Sequence, residues 1–133
     1  MALALAGRNL FTKFTTTEDS TGERFGSTGA WVHVGSSTAA FSSADNSLLG
    51  TSTADGRQKP MDSSYPTRAV NVLTYRATFT TSEANLAWEE WEIKNTSATS
   101  TGTGSLLNRK LDSLGTKAST QSWQVTATVT VST

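Results

Sequence analysis

The chain has no cysteine among its 133 residues, which removes disulfide frameworks and thiolate metal sites. It has one histidine, His33, and a metal centre asks for three or four converging ligands. Basic and acidic residues number 11 each, for a formal net charge of zero, so the basic excess of a nucleic-acid binder is missing. No window comes near the roughly 20 apolar residues of a membrane span. The opening MALALAGRNL has no basic leader, and its apolar run is shorter than the roughly 7 to 15 residues of a signal sequence. These absences lead us to expect a chain that stays in solution, is not secreted by the usual route, folds in a reducing cytoplasm, and needs neither cofactor nor metal, with neither nucleic acid nor membrane as a partner. No P-loop, GxGxxG or GxSxG motif is present.

What the sequence has instead is hydroxyl. Serine and threonine make up roughly a third of the residues while charged residues make up 17%, a surface chemistry that suits a sheet protein meeting other proteins. The clearest element is WQVTATVTV, in which Trp123, Val125, Ala127, Val129 and Val131 alternate with Gln124, Thr126, Thr128 and Thr130. That is the period-two pattern of a half-buried strand. AVNVLTYRATF (69–79) is a second strand, with Leu73, Tyr75, Ala77 and Phe79 sharing a face. AWVHVG (30–35) and SLLNRKLDSLG (105–115) are shorter candidates.

LAWEEWEIKN (86–95) is harder to place. On a helix its apolar residues scatter around the cylinder; on a plain strand Trp88 and Trp91 point to opposite faces. A bulge at Glu89 and Glu90 resolves this, turning Leu86, Trp88, Trp91 and Ile93 to one core and the glutamates toward water. With this segment there are at least five strands, which predicts an all-β, antiparallel β-sandwich or barrel-like domain. We divide the chain into residues 1–29, an N-terminal arm and lead-in, and residues 30–133, a single β domain. The arm carries Leu3, Leu5, Leu10, Phe11 and Phe14, as a short amphipathic helix or an extended strand. That is more apolar side chain than one free terminus should show, and it marks these five residues as a docking surface. Trp88, Trp91 and Trp123 are the expected core aromatics. Residues 35–57 and 95–105 are small, polar and punctuated by glycine, as loops are.

The glutamate and tryptophan cluster is the best catalytic candidate, since paired carboxylates flanked by aromatic rings serve glycoside hydrolysis. Neighbouring strand residues point apart, however, so solvated glutamates beside a core seam are the preferred reading. His33 is expected to be a surface or interface residue, and the basic residues, among them Lys94, Arg109 and Lys117, solvated or subunit-facing.

Residues 57–131 carry a more specific pattern: RQKPMDSSYPTR, then LTYRATF, then the Trp88–Trp91 strand, then LLNRK, then the closing threonine–valine strand. This series resembles a set of small tailed-bacteriophage virion structural proteins. More distantly, the order of elements is similar to the phage tail-collar fibre domain. Gln58 stands between Arg57 and Lys59, and Glu92 where the pattern leads one to expect glycine. The resemblance implies a non-enzymatic protein on the virion exterior, either capsid decoration or a tail-associated adaptor, assembled in the host cytoplasm. Its partners would be other capsid or tail proteins and further copies of itself in a homo-oligomer, a trimer foremost. The alternative from another class is a carbohydrate-binding module or small glycosidase using Trp31, Trp88 and Trp91.

Overall fold

The computed structural model describes residues 25–44, 57–97 and 104–130. The five arm residues Leu3, Leu5, Leu10, Phe11 and Phe14 lie outside the described residues. Within them the fold is all-β: β1 (Trp31–Gly35), β2 (Gln58–Pro60), β3 (Thr67–Ala69), β4 (Val72–Phe79), β5 (Ala87–Lys94), β6 (Leu106–Thr116) and β7 (Trp123–Thr130). They form two antiparallel sheets, one of order β2-β1-β5-β6 and one of order β3-β4-β7. This is the sandwich architecture that the alternating segments predict.

The longest alternating segments do what period two requires. In β4, Tyr75, Ala77 and Phe79 are buried and Leu73 packs against them. In β7, Val125, Ala127 and Val129 are buried while Gln124, Thr126, Thr128 and Thr130 are exposed. These two strands pair without a register break from Val72↔Thr130 to Phe79↔Trp123. From the other sheet, Val32, Val34, Trp88, Trp91, Ile93 and Leu107 join the same core. Phe25 and Ala30 belong to it as well, so the packed domain takes in residues ahead of position 30.

Trp88 links the two layers. Its ring meets Phe79 edge-on at 4.9 Å between centroids and Trp123 edge-on at 5.0 Å, the geometry that aromatic quadrupoles favour. Its indole N–H donates to the Ala84 carbonyl at 2.9 Å, so the polar end of a fully buried ring is satisfied.

The irregularity expected in β5 is present, with a difference in where its extra residues lie. Trp88 pairs with Gly115 and Glu90 with Leu111, so two steps along β5 meet four along β6. Trp88, Trp91 and Ile93 are all buried in one core, as the bulge argument requires; the surplus residues, however, belong to β6. A second shift, between Ile93 and Lys94, leaves Leu107 as the extra residue of β6.

Strands β2 and β3 fall in a segment where no strand was expected. Each is three residues long, too short to show a period. The chain between them is held by Asp62, which accepts from Arg76 Nε at 3.0 Å, from the Thr78 backbone N–H at 3.0 Å and from the Thr78 hydroxyl at 2.8 Å. The Tyr65 ring lies 4.2 Å from the Arg76 guanidinium carbon. The Asp and Tyr of the MDSSY motif thus fasten the segment onto β4.

Replacing Trp88 with alanine removes the ring that contacts both layers and should lower unfolding stability by about 3 to 5 kcal/mol. Urea denaturation measures this; a loss below about 1 kcal/mol would show that the sheets do not depend on that contact.

Candidate functional site

Strand β5 lies inside its sheet, and both of its faces are closed. One face holds Trp88, Trp91 and Ile93. The other holds Glu90, Glu92 and Lys94, each no more than 1% exposed. The expectation that Glu90 is pushed toward water is therefore overturned. The cause is residues 36–44, which contribute no strand but reach back to this face. The Ser37 N–H points at Glu90 Oε1 at 3.4 Å, and the Ala39 carbonyl accepts from Arg109 at 3.0 Å.

Arg109 pairs with Glu90 through two nitrogens. Both Nε and a terminal guanidinium nitrogen lie 2.7 Å from Glu90 Oε2. Gly35, directly across from Glu90 in the register, makes room for this carboxylate: a Cβ at position 35 would sit 2.5 Å from Glu90 Oε1. Arg109 and Lys94, along with Lys117, are buried, contrary to the solvated role expected of them. Lys117 donates to Asn85 at 2.7 Å. Burial pushes the Lys94 ammonium below the usual lysine range, and the charge of Glu92 opposes that shift.

His33 is likewise buried, at 1% exposure, and is not a surface residue. On β1 it lies between Gln58 of β2 and Glu92 of β5 in the register. Its Nε2 donates to the Thr96 carbonyl at 2.8 Å, which places the proton of the neutral ring on Nε2 and turns Nδ1 to Glu92 Oε1, 3.3 Å away. Desolvation outweighs the Thr96 hydrogen bond and, with a smaller contribution from Lys94, brings the imidazole pKa down to about 4. The ring is therefore neutral at pH 7.

An open site lies elsewhere, at the edge of the sandwich where β6 and β7 each end their sheets. Between them runs a groove of about 710 Å3, lined by Trp91, Leu114, Trp123, Val125, Ala127 and residues along the outer edge of β7. Trp88 closes its floor. Leu114 is 46% exposed and Trp123 is half-buried. Lys110 and Asp112 form an ion pair at 2.7 Å on the rim. The Lys110 hydrogen bond and charge hold the Asp112 carboxyl below its ordinary value, helped by a hydrogen bond from the Trp91 indole. This surface is mixed, with aromatic and aliphatic side chains beside hydroxyl and amide groups, and its one cation and one anion leave it without net charge.

The structure thus divides the residues singled out in the sequence. Trp88, Trp91 and Trp123 come together around the groove. Glu90 and Glu92 are enclosed behind the sheet, and Glu89 is half-buried. Among the described residues no group of three or more histidine, aspartate or glutamate side chains is arranged to hold a metal ion, and no helix is long and apolar enough to cross a membrane. Leu114 was missed; its signal was an apolar residue on an otherwise polar stretch beside a glycine. No family model, curated protein or solved structure matches this chain.

Two outcomes follow from the enclosed face. Arg109→Met should cost about 3 to 5 kcal/mol by leaving the Glu90 charge buried without its main partner, while Glu90→Leu combined with Arg109→Met should recover most of that loss. A double-mutant cycle in urea reads the difference, and a double variant as unstable as the sum of the single ones would contradict it.

The second concerns pH. Unfolded, His33 takes up a proton near pH 6.5, whereas the folded ring does so only near 4. Between these values the unfolded chain binds the extra proton, so stability falls as pH drops from about 6.5 to 4, by roughly 3 kcal/mol. His33→Gln should flatten that part of the stability profile; an unchanged slope would assign it to other groups.

Proposed function

We propose that this chain is a non-enzymatic structural protein of a tailed-bacteriophage virion, carried on the particle exterior as capsid decoration or as a tail-associated adaptor. The reading starts from the likeness of residues 57–131 to small virion proteins. The observation that supports it is an aromatic groove of about 710 Å3 beside an eight-residue edge strand whose outward side chains are one glutamine and three threonines. Such an edge offers unpaired backbone groups with no charge to repel a partner. An obligate subunit surface has this character; a hydrolytic cleft would need convergent accessible carboxylates, and here Glu90 and Glu92 are each 1% exposed.

The carbohydrate-binding reading draws less support. It needs tryptophan faces in water, and Trp88 and Trp91 are 1% and 7% exposed.

Particles produced by a host that makes this chain should, when banded on a density gradient, contain it at a fixed ratio to the major capsid or tail protein. Purified protein should also rebind particles assembled without it. Recovery only from the free-protein fraction would overturn the proposal. Saturable sugar binding lost on Trp123→Ala would favour the carbohydrate alternative.

A further inference from the structure

The two sheets present four edge strands, and three of them are guarded. β2 is three residues long and contains Lys59 and Pro60. β3 is three residues long and contains Arg68. β6 carries the Lys110–Asp112 ion pair and two register shifts. These are the devices by which sheet proteins block edge-to-edge pairing. β7 has none: it is eight residues long, without charge, proline or glycine, and pairs with β4 in unbroken register. Among the described residues its other side has no strand partner, and there the tryptophan groove opens.

From this we infer that β7 is a receptor edge, which takes an added strand formed by residues 2–6 of a neighbouring copy of this chain. The inference rests on the assembly role proposed above and names its partner. In Ala2-Leu3-Ala4-Leu5-Ala6 the leucines alternate with alanines, and no charge occurs before Arg8. Added to β7, a strand of this pattern turns Leu3 and Leu5 to one face, into the groove against Leu114 and Trp123, and sets small alanines beside the threonines outside. An uncharged strand meets an uncharged edge, and main-chain hydrogen bonds supply the pairing.

The length of chain outside the described residues selects a neighbour as donor. Residues 15–24, TTTEDSTGER, contain Glu18, Asp19, Glu23 and Arg24 and no large apolar side chain, so nothing in this stretch favours packing onto its own domain. Fully extended it spans about 35 Å. From β1, where the chain enters the sheet, the β6 edge is two strands away, about 10 Å. The spacer spans more than three times that distance, so the arm can extend beyond its own groove.

Because the chain has no cysteine, single thiols report this contact without background. Ala4→Cys, on the outward face of the added strand, and Thr126→Cys proteins are purified separately, checked for folding by circular dichroism, mixed and oxidised. The mixture should give a covalent dimer at least tenfold more abundant than either variant alone or than Ala4→Cys mixed with Thr67→Cys on β3. Thr128→Cys, at the next outward position of β7, repeats the test should position 126 disturb folding. Deleting residues 2–14 should convert the assembled protein to monomer in sedimentation while leaving the thermal midpoint within a few degrees.

A dimer from Thr126→Cys alone would mean that β7 pairs with β7 of a second copy, and would overturn the arm as occupant. Closure within one chain in the Ala4→Cys/Thr126→Cys double variant would overturn the exchange between copies. No cross-link, with full-length protein sedimenting as monomer, would overturn the receptor edge itself. All these readouts use purified protein, so they stand or fall apart from whether the chain is found on particles.

Discussion

The pairing of Arg109 with Glu90 is the contact on which the larger sheet depends. β5 alternates an aromatic and aliphatic face with a charged one, and a strand of that kind would ordinarily lie with its charges in water. Here it runs between β1 and β6, where the charged face is closed over. Two guanidinium nitrogens at 2.7 Å from one carboxylate oxygen make that closure tolerable, because a buried carboxylate without such a partner costs several kcal/mol. The same guanidinium holds the Ala39 carbonyl, so the segment that excludes water is fastened by the group it protects.

Around this pair the polar residues form a row across three strands. His33, Glu92 and Arg109 are successive neighbours in register on β1, β5 and β6. Side chains directly opposite one another share a face, so the ring, the carboxylate and the guanidinium lie side by side in a dry layer. The opposite face of the sheet is apolar and meets β4 and β7 through Trp88. The sheet therefore has two interiors, one held by dispersion and ring geometry and one by charge. This explains why residues so different in chemistry as Ile93 and Lys94 are both fully buried.

How much of this could be read in advance depended on the range of the interaction. β4 and β7 were legible because their core faces repeat every second residue over eight positions. The common orientation of Trp88, Trp91 and Ile93 was legible because only a register irregularity unites them. The burial of Glu90 and Arg109 was not, since they are met by residues 36–44, whose small polar side chains carry no periodic signal. β2 and β3 escaped for want of length. The groove was invisible for another reason: it exists because β6 and β7, far from adjacent in purpose though near in sequence, both end up at sheet edges on one side of the sandwich. The residues of the arm, legible as apolar surplus, have no counterpart in the described part of the fold.

The excess of residues in β6 opposite Glu89 has an evolutionary corollary. Three positions, Asp112, Ser113 and Leu114, span the interval that β5 crosses with a single residue, and a strand carrying such surplus bends and twists away from its neighbour. Two of the three line the groove. The size of the cleft is therefore controlled by a length difference in a surface strand, independent of the tryptophans at its base. Short insertions or deletions at positions 112–114 would resize it while the two interiors stayed as they are, so related chains could alter the cleft by changes in spacing before any change in core composition.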